Sequence, residues 1–226
     1  MSASLSGIRA AIIDLDGTLL HTAPDFHIAI NRMRNELDLA PVGIETIERF
    51  VGKGTEHLVR QIIGLDYDQP TVQERLTPAL DSYHRHYHAI NGDHVTLYPQ
   101  VKEGLEALRA KGLRLACVTN KPVGFAVPLL EKTGLAFWFE LVYGGDSFAR
   151  KKPDPYPLLQ VCKAFGLEPH QVVAIGDSTN DAEAARAAGC RSLTVPYGYN
   201  HGQPVQEIDS DGIVSTLLDA AHIISG

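Results

Sequence analysis

From Leu97 onward, short runs of aliphatic and β-branched residues alternate with stretches whose apolar positions recur at helical spacing. The runs fall at residues 113–118, 139–143, 172–175 and 192–195, and the helical stretches between them include 101–111, 155–165 and 181–188. Strand alternating with helix predicts βαβ units and a parallel sheet. Gly112, Gly134, Gly166 and Gly189 fall where those helices should end, positions that left-handed C-caps favour. Residues 8–14 read as one more buried strand, set apart from the others. Between it and the repeating part, no convincing strand is visible, but apolar residues sit at helical spacing: Phe26, Ile30, Met33 and Leu37, then Leu80, Tyr83, Tyr87 and Ile90. Thr77 reads as the N-cap of the second of these helices, with Pro78 at its first position. The pattern therefore predicts an α/β core of residues 1–18 and 94–226, interrupted by an inserted helical domain over 19–93.

Composition then narrows the class. Of 226 residues, 44% are hydrophobic and 21% charged, the balance of a globular chain and not of a disordered, collagenous or coiled-coil one. Lys plus Arg number 20 against 27 Asp plus Glu, a formal charge of -7, and no basic tract is present. This stands against nucleic acid as a partner. It also means that a small anionic ligand would need a local cation, from lysine or metal. Cys117, Cys162 and Cys190 are widely spaced and form no CxxC pair, as expected of buried thiols in a reducing compartment. Residues 1–7 are small and polar, and the apolar run 10–13 is too short for a signal or membrane segment. A cytoplasmic protein without membrane contact is expected; nothing in the pattern sets its oligomeric state.

The ends of the strands carry the chemistry. The first closes in Asp14-Leu15-Asp16-Gly17-Thr18, two carboxylates and a turn glycine at the edge where open α/β sheets bind ligands. A plain turn with solvated aspartates is the bland alternative. An EF-hand loop fails, because its sixth position would be Leu19 and a strand precedes it. Later strand ends add Thr119-Asn120-Lys121, then Lys151-Lys152-Pro153 beyond a loop, then Gly176-Asp177-Ser178-Thr179-Asn180-Asp181. Singly, each is compatible with turn or loop chemistry; in order, four strands deliver hydroxyl, amide, ammonium and carboxylate to one rim.

Taken together these motifs resemble the haloacid dehalogenase superfamily of phosphohydrolases, over essentially the whole chain. The matches are Asp14-Leu15-Asp16-Gly17-Thr18, Thr119-Asn120, Lys152-Pro153 and Gly176-Asp177 through Asp181, with a helical cap after the first motif, as in that family's C1 class. The resemblance implies a Rossmann-like core sheet under an α-helical cap. Thr22-Ala23-Pro24-Asp25, Val51-Gly52-Lys53-Gly54, Thr119-Asn120-Lys121-Pro122 and Gly144-Gly145-Asp146-Ser147 are similar to bacterial phosphoglycolate phosphatases; His21-Thr22 departs from the usual Asp-Ser of that group.

As the resemblance implies, Asp14 attacks phosphorus in line to give an aspartyl phosphate, and Asp16 protonates the leaving alkoxide and then takes a proton from water. Mg²⁺ is the implied cofactor, shared by Asp14, the main-chain carbonyl of Asp16 and Asp177. Thr119, Asn120 and Lys152 hold the phosphoryl group, and Thr18 and Asp181 support the site from behind. A cation is needed on physical grounds, since a carboxylate about 4 Å from one unit of phosphate charge is repelled by about 4 kcal/mol at an effective dielectric of 20. The substrate is expected to be a small phosphorylated metabolite.

In the insert, Gly52-Lys53-Gly54 carries the one lysine between Leu19 and Asp93, before a helix that Thr55 could cap. It reads as a loop selecting a small carboxylate such as that of 2-phosphoglycolate, or as a plain interhelical turn. His84, His86 and His88 cluster without a metal-site partner and are assigned no role. Other readings are a phosphatase for amino-sugar phosphate or pyrophosphate, a sugar phosphate mutase, a phosphonate-cleaving relative and, outside enzymes, a phosphate-accepting receiver module. Asp16 opposes the phosphonate branch, and the position of Asp14 after the first strand opposes the receiver.

Overall fold

The computed structural model describes residues 5–225, so residues 1–4 of the polar N-terminal stretch and Gly226 lie outside it. Among the described residues six parallel strands form one sheet: β1 (Ala10–Ile13), β4 (Arg114–Val118), β5 (Leu141–Tyr143), β6 (Val172–Gly176), β7 (Arg191–Thr194) and β8 (Gly212–Ile213), in the order β5-β4-β1-β6-β7-β8. β1 is central, with Ala10 opposite both Arg114 and Val172. The outward switch of strand order on either side of β1 places its carboxyl end at the crevice expected to bind ligand.

Alternate residues of these strands pack on opposite faces, as a period of two requires. Ala11, Ile13, Leu115, Cys117, Val173 and Ile175 face α5 (Val101–Ala110), α6 (Val123–Lys132) and α9 (Leu217–Ile223). Ala10, Ile12, Ala116, Val118 and Ala174 face α7 (Tyr156–Phe165) and α8 (Thr179–Ala188). With both faces covered, β1, β5 and β6 are apolar throughout and β4 after Arg114, which is why they read as continuous runs. Gly112, Gly134, Gly166 and Gly189 all have positive φ, the left-handed stop expected of them.

Between β1 and the rest of the sheet, β2 (Leu20–His21) pairs antiparallel with β3 (Thr96–Leu97), a two-residue ladder too short to leave a sequence pattern. Beyond that ladder, α1 (Ala23–Glu36), α2 (Ile44–Glu48), α3 (Thr55–Ile63) and α4 (Gln69–Ile90) share their own apolar cluster, with Phe26, Ile30, Met33, Tyr83 and Tyr87 within it. Leu19 and Leu20 pack with the sheet cluster instead.

The expected start of the last insert helix is corrected. α4 begins at Gln69, capped by Asp68, whose side chain accepts from the Thr71 N–H at 3.1 Å, with Pro70 in the first turn; Pro78 lies inside the helix. Asp-x-Pro-Thr is itself a helix start, and Val72 and Leu76 extend the buried stripe of Ala79, Tyr83, Tyr87 and Ile90 backwards, so burial carries the helix through the proline. Thr55 likewise is the first residue of α3, and Gly54, at φ +91°, occupies the cap. Cys117, Cys162 and Cys190 are free and buried, and no described helix is long and apolar enough to cross a membrane.

Candidate active site

Asp14 follows β1 directly, its N–H still donating to the Ile175 carbonyl at 3.0 Å, so the ladder itself aims this carboxylate off the sheet edge. The turn that follows needs Gly17, at φ +87°: a methyl group there would overlap the Asp177 carboxylate. Lys152, buried, donates from Nζ to Asp14 Oδ1 at 2.8 Å, Asp181 Oδ1 at 2.6 Å and the Val118 carbonyl at 2.7 Å. Asp181 also caps α8 through Oδ2, accepting from the Ser178 N–H and hydroxyl at 3.2 and 2.8 Å. Asp177 accepts from the Thr18 hydroxyl at 2.8 Å and from the Tyr199 N–H at 2.6 Å. The residues expected at the rim are thus brought together from four strand ends.

Burial sets the electrostatics. It pushes the Asp14 carboxyl up to about 7, against the pull of Lys152 and with the repulsion of Asp181 and Asp16 behind it. It pushes Asp177 up as well, reinforced by Asp181 and Asp14. Burial would pull the Lys152 ammonium down, but Asp14 and Asp181 outweigh it and hold its pKa above the ordinary lysine value. Carboxylate oxygens of Asp14, Asp177 and Asp181 all lie within 4.8 Å of one another. Lys152 compensates two of these groups, and Asp177 has only neutral donors. Three buried carboxylates against one ammonium leave negative charge that a divalent cation fits, and an all-oxygen donor set suits a hard ion. The side chain of Asp16 lies outside this set.

Asp16 instead pairs with Lys121, whose Nζ donates at 2.9 and 3.2 Å to its two oxygens. That ammonium lies 4.3 Å from the Phe26 ring centre and 4.9 Å from that of Tyr87. The sequence pattern gives Lys121 no role; a lysine beside Thr-Asn at a strand end is its one signal. Tyr199 was missed too. Its hydroxyl accepts from the Thr22 and Ala23 N–H groups, each at 3.0 Å, while its own N–H holds Asp177, so it joins the acidic cluster to the start of the insert.

Thr119 lines the chamber between insert and sheet, its hydroxyl accepting from the Lys121 N–H at 3.2 Å. The Asn120 side-chain amide, expected on phosphoryl oxygens, donates to the carbonyls of Gly52 at 2.9 Å and Lys152 at 2.8 Å. Asn180 donates to the same Gly52 carbonyl at 3.3 Å. Gly52 and Gly54 line the chamber, whereas Lys53 is exposed and is not among the lining residues. Of the histidine cluster, His86 pairs with Glu36 at 2.8 Å, and His84 and His88 pack around Phe125.

Comparison with known proteins agrees with this geometry. Residues 11–195 match the model of the haloacid dehalogenase-like hydrolases. A phosphoglycolate phosphatase of Nitrosospira multiformis is 48% identical over 217 residues, covering 96% of each chain. One from Thiobacillus denitrificans is 46% identical over 222 residues, with 96% of each covered. The crystal structure of a predicted phosphoglycolate phosphatase from Haemophilus somnus superposes with a TM-score of 0.91 at 32% identity, over 96% of this chain and 98% of that one.

Proposed function

The chain belongs to the haloacid dehalogenase-like hydrolases and is a phosphatase, and from that premise we propose that it hydrolyses 2-phosphoglycolate to glycolate and phosphate, with Mg²⁺, through an aspartyl phosphate on Asp14. Support for the chemistry comes above all from the separate pairing of the two carboxylates after β1: Asp14 with Lys152, Asp16 with Lys121. Two acids held by different partners are free to take different roles.

In this reading an oxygen of Asp14 bonds to phosphorus as the ester P–O bond breaks, and Asp16 gives its proton to the departing glycolate oxygen. Asp16 then takes a proton from water as that water attacks phosphorus; the bond from phosphorus to Asp14 breaks and phosphate leaves. Lys152 and the Thr119 hydroxyl position the phosphoryl oxygens, and Asp181 and Thr18 fix Lys152 and Asp177 in turn. Asp14, Asp177 and Asp181 offer oxygens for the ion, with the Asp16 main-chain carbonyl as the further ligand that family resemblance implies. When bound, such an ion supplies positive charge beside oxygens that the carboxylates repel.

Residues 1–18 and 94–226 are read as the catalytic core and 19–93 as its cap, in a cytoplasmic enzyme of small phosphorylated metabolites. Gly52 and Gly54 shape the substrate chamber through their backbone, with Lys53 at its outer edge. The test is a substrate panel. With Mg²⁺, kcat/KM on 2-phosphoglycolate should exceed that on glucose 1-phosphate, pyrophosphate and an amino-sugar phosphate by about tenfold or more, and EDTA should abolish turnover. Preference for another of these esters contradicts the substrate assignment.

A further inference from the structure

Lys121 is the one cationic side chain among the described residues that line the chamber beneath the insert, and the phosphoryl chemistry leaves it unused. Among the described residues its ammonium donates only to the two oxygens of Asp16, and an ammonium carries three protons. The faces of Phe26 and Tyr87 hold it in place, at 4.3 and 4.9 Å from the ring centres. Tyr87 is itself a lining residue, and its hydroxyl is fully buried and without a hydrogen-bond partner among the described residues. Buried donors are rarely left unpaired, so two with spare capacity around one chamber point to an acceptor that arrives with the ligand.

We infer that Lys121, seated on the Tyr87 ring, is the receptor for a carboxylate on the leaving group, and that it selects phosphate esters of small hydroxy acids over those of neutral alcohols. The inference rests on the reading of the chain as a 2-phosphoglycolate phosphatase and names the residue that makes the choice. In that substrate a single methylene separates the ester oxygen from the carboxylate. If Asp16 touches the ester oxygen, Lys121, within hydrogen-bond distance of Asp16, lies where the carboxylate falls. An anionic leaving group between Asp14 and Asp16 also needs a cation on its own side. Lys152 is committed to Asp14, Asp181 and Val118, and Lys53 is exposed outside the lining. Phe26, Val51 and Leu58 of the same lining are apolar and offer the hydroxyls of a sugar ester no hydrogen bond.

The experiment compares 2-phosphoglycolate with ethyl phosphate, similar in size but lacking the carboxylate, in wild type, Lys121→Met and Tyr87→Phe, and reads the ratio of their kcat/KM values. Wild type should favour 2-phosphoglycolate by about a hundredfold or more. Lys121→Met should reduce that ratio by at least about thirtyfold, and Tyr87→Phe, which keeps the ring under the ammonium, by about three- to tenfold. A ratio unchanged in Lys121→Met, both substrates falling together, overturns the inference and leaves Lys121 as a positioning residue for Asp16. Should that variant not fold, an unchanged ratio in Tyr87→Phe overturns it equally. A wild-type ratio near one, with aryl phosphate still hydrolysed, contradicts the substrate reading beneath it instead.

Discussion

Asp14 and Asp16 stand two residues apart on one strand end, yet their surroundings differ: Asp14 faces Lys152, Asp177 and Asp181, while Asp16 faces Lys121 between two aromatic rings. A nucleophile and a proton donor fail differently when removed, which separates the two roles. Asp14→Asn should lose turnover on every ester, by about a thousandfold or more. In kcat/KM, which reports only the first displacement, Asp16→Asn should lose about a hundred- to ten-thousandfold on an alkyl phosphate but far less on an aryl phosphate, whose leaving group departs without a proton, while hydrolysis of the aspartyl phosphate slows for both. The kcat/KM values on the two esters check both, and an Asp16→Asn that loses kcat/KM equally on the two contradicts the acid assignment. These aspartates were legible in the sequence because their signal is local: a buried strand, then Asp-x-Asp-Gly-Thr. Lys121 was not, because its partner Asp16 lies 105 positions away and only the fold joins them. Lys53 drew attention by being alone in its segment, a property of the sequence that says nothing about where its side chain lies.

Among the elements, α4 shows how packing overrides local signals. Pro78 lies on its exposed side, lacks the N–H that would bond four residues back, and crowds the carbonyl there. Pro78→Ala should therefore raise stability by about 1–2 kcal/mol, the helix gain less the added freedom of the unfolded chain; denaturant unfolding checks this, and a fall in midpoint contradicts it. α4 is tied to α1 by Glu36, which accepts from Arg85, Ser82 and His86 at 2.8, 2.5 and 2.8 Å. Arg85 first, then Ser82 and His86, hold its carboxyl down at about 2, from an ordinary 4.5. A depressed carboxyl stabilises the fold above its unfolded pKa, and the contribution is lost as pH falls from about 4.5 towards 2. Glu36→Gln should lower the urea midpoint at pH 7, with the gap to wild type closing over that acid range. The same element explains what the sequence hid. Thr77-Pro78 looks like a helix start, so the true start at Asp68 passed unnoticed, and β2, β3 and β8, with two residues each, carry no periodicity. The longer strands and the glycine stops were visible because burial on both sheet faces and positive φ each restrict residue choice.

At the scale of the whole molecule, the insert is closed on the core. The chamber between them is narrow, about 30 Å³, room for one or two waters, and substrate is expected to enter as insert and core part. The contacts that must yield include the two amides of Asn120 and Asn180 on the Gly52 carbonyl and the Lys121 ammonium on the Phe26 and Tyr87 rings. The linkers are held more firmly: buried Asp25 accepts from the Gly92 and His94 N–H groups at 2.7 and 3.0 Å, and Tyr199 holds the other linker at Thr22 and Ala23. Asn180→Ala should thus weaken closure without freeing the linkers, raising KM by about three- to tenfold with a smaller change in kcat; an unaltered KM contradicts that role. The roles given to Asp14 and Asp16 presuppose a phosphoryl group carried briefly by Asp14. The most direct test is the stereochemistry of hydrolysis, using the phosphorothioate analogue of 2-phosphoglycolate made chiral at phosphorus with two oxygen isotopes, in water of the third. Two successive in-line displacements, through Asp14 and then water, predict net retention of configuration; net inversion would mean that water attacks the ester directly and Asp14 never bonds to phosphorus.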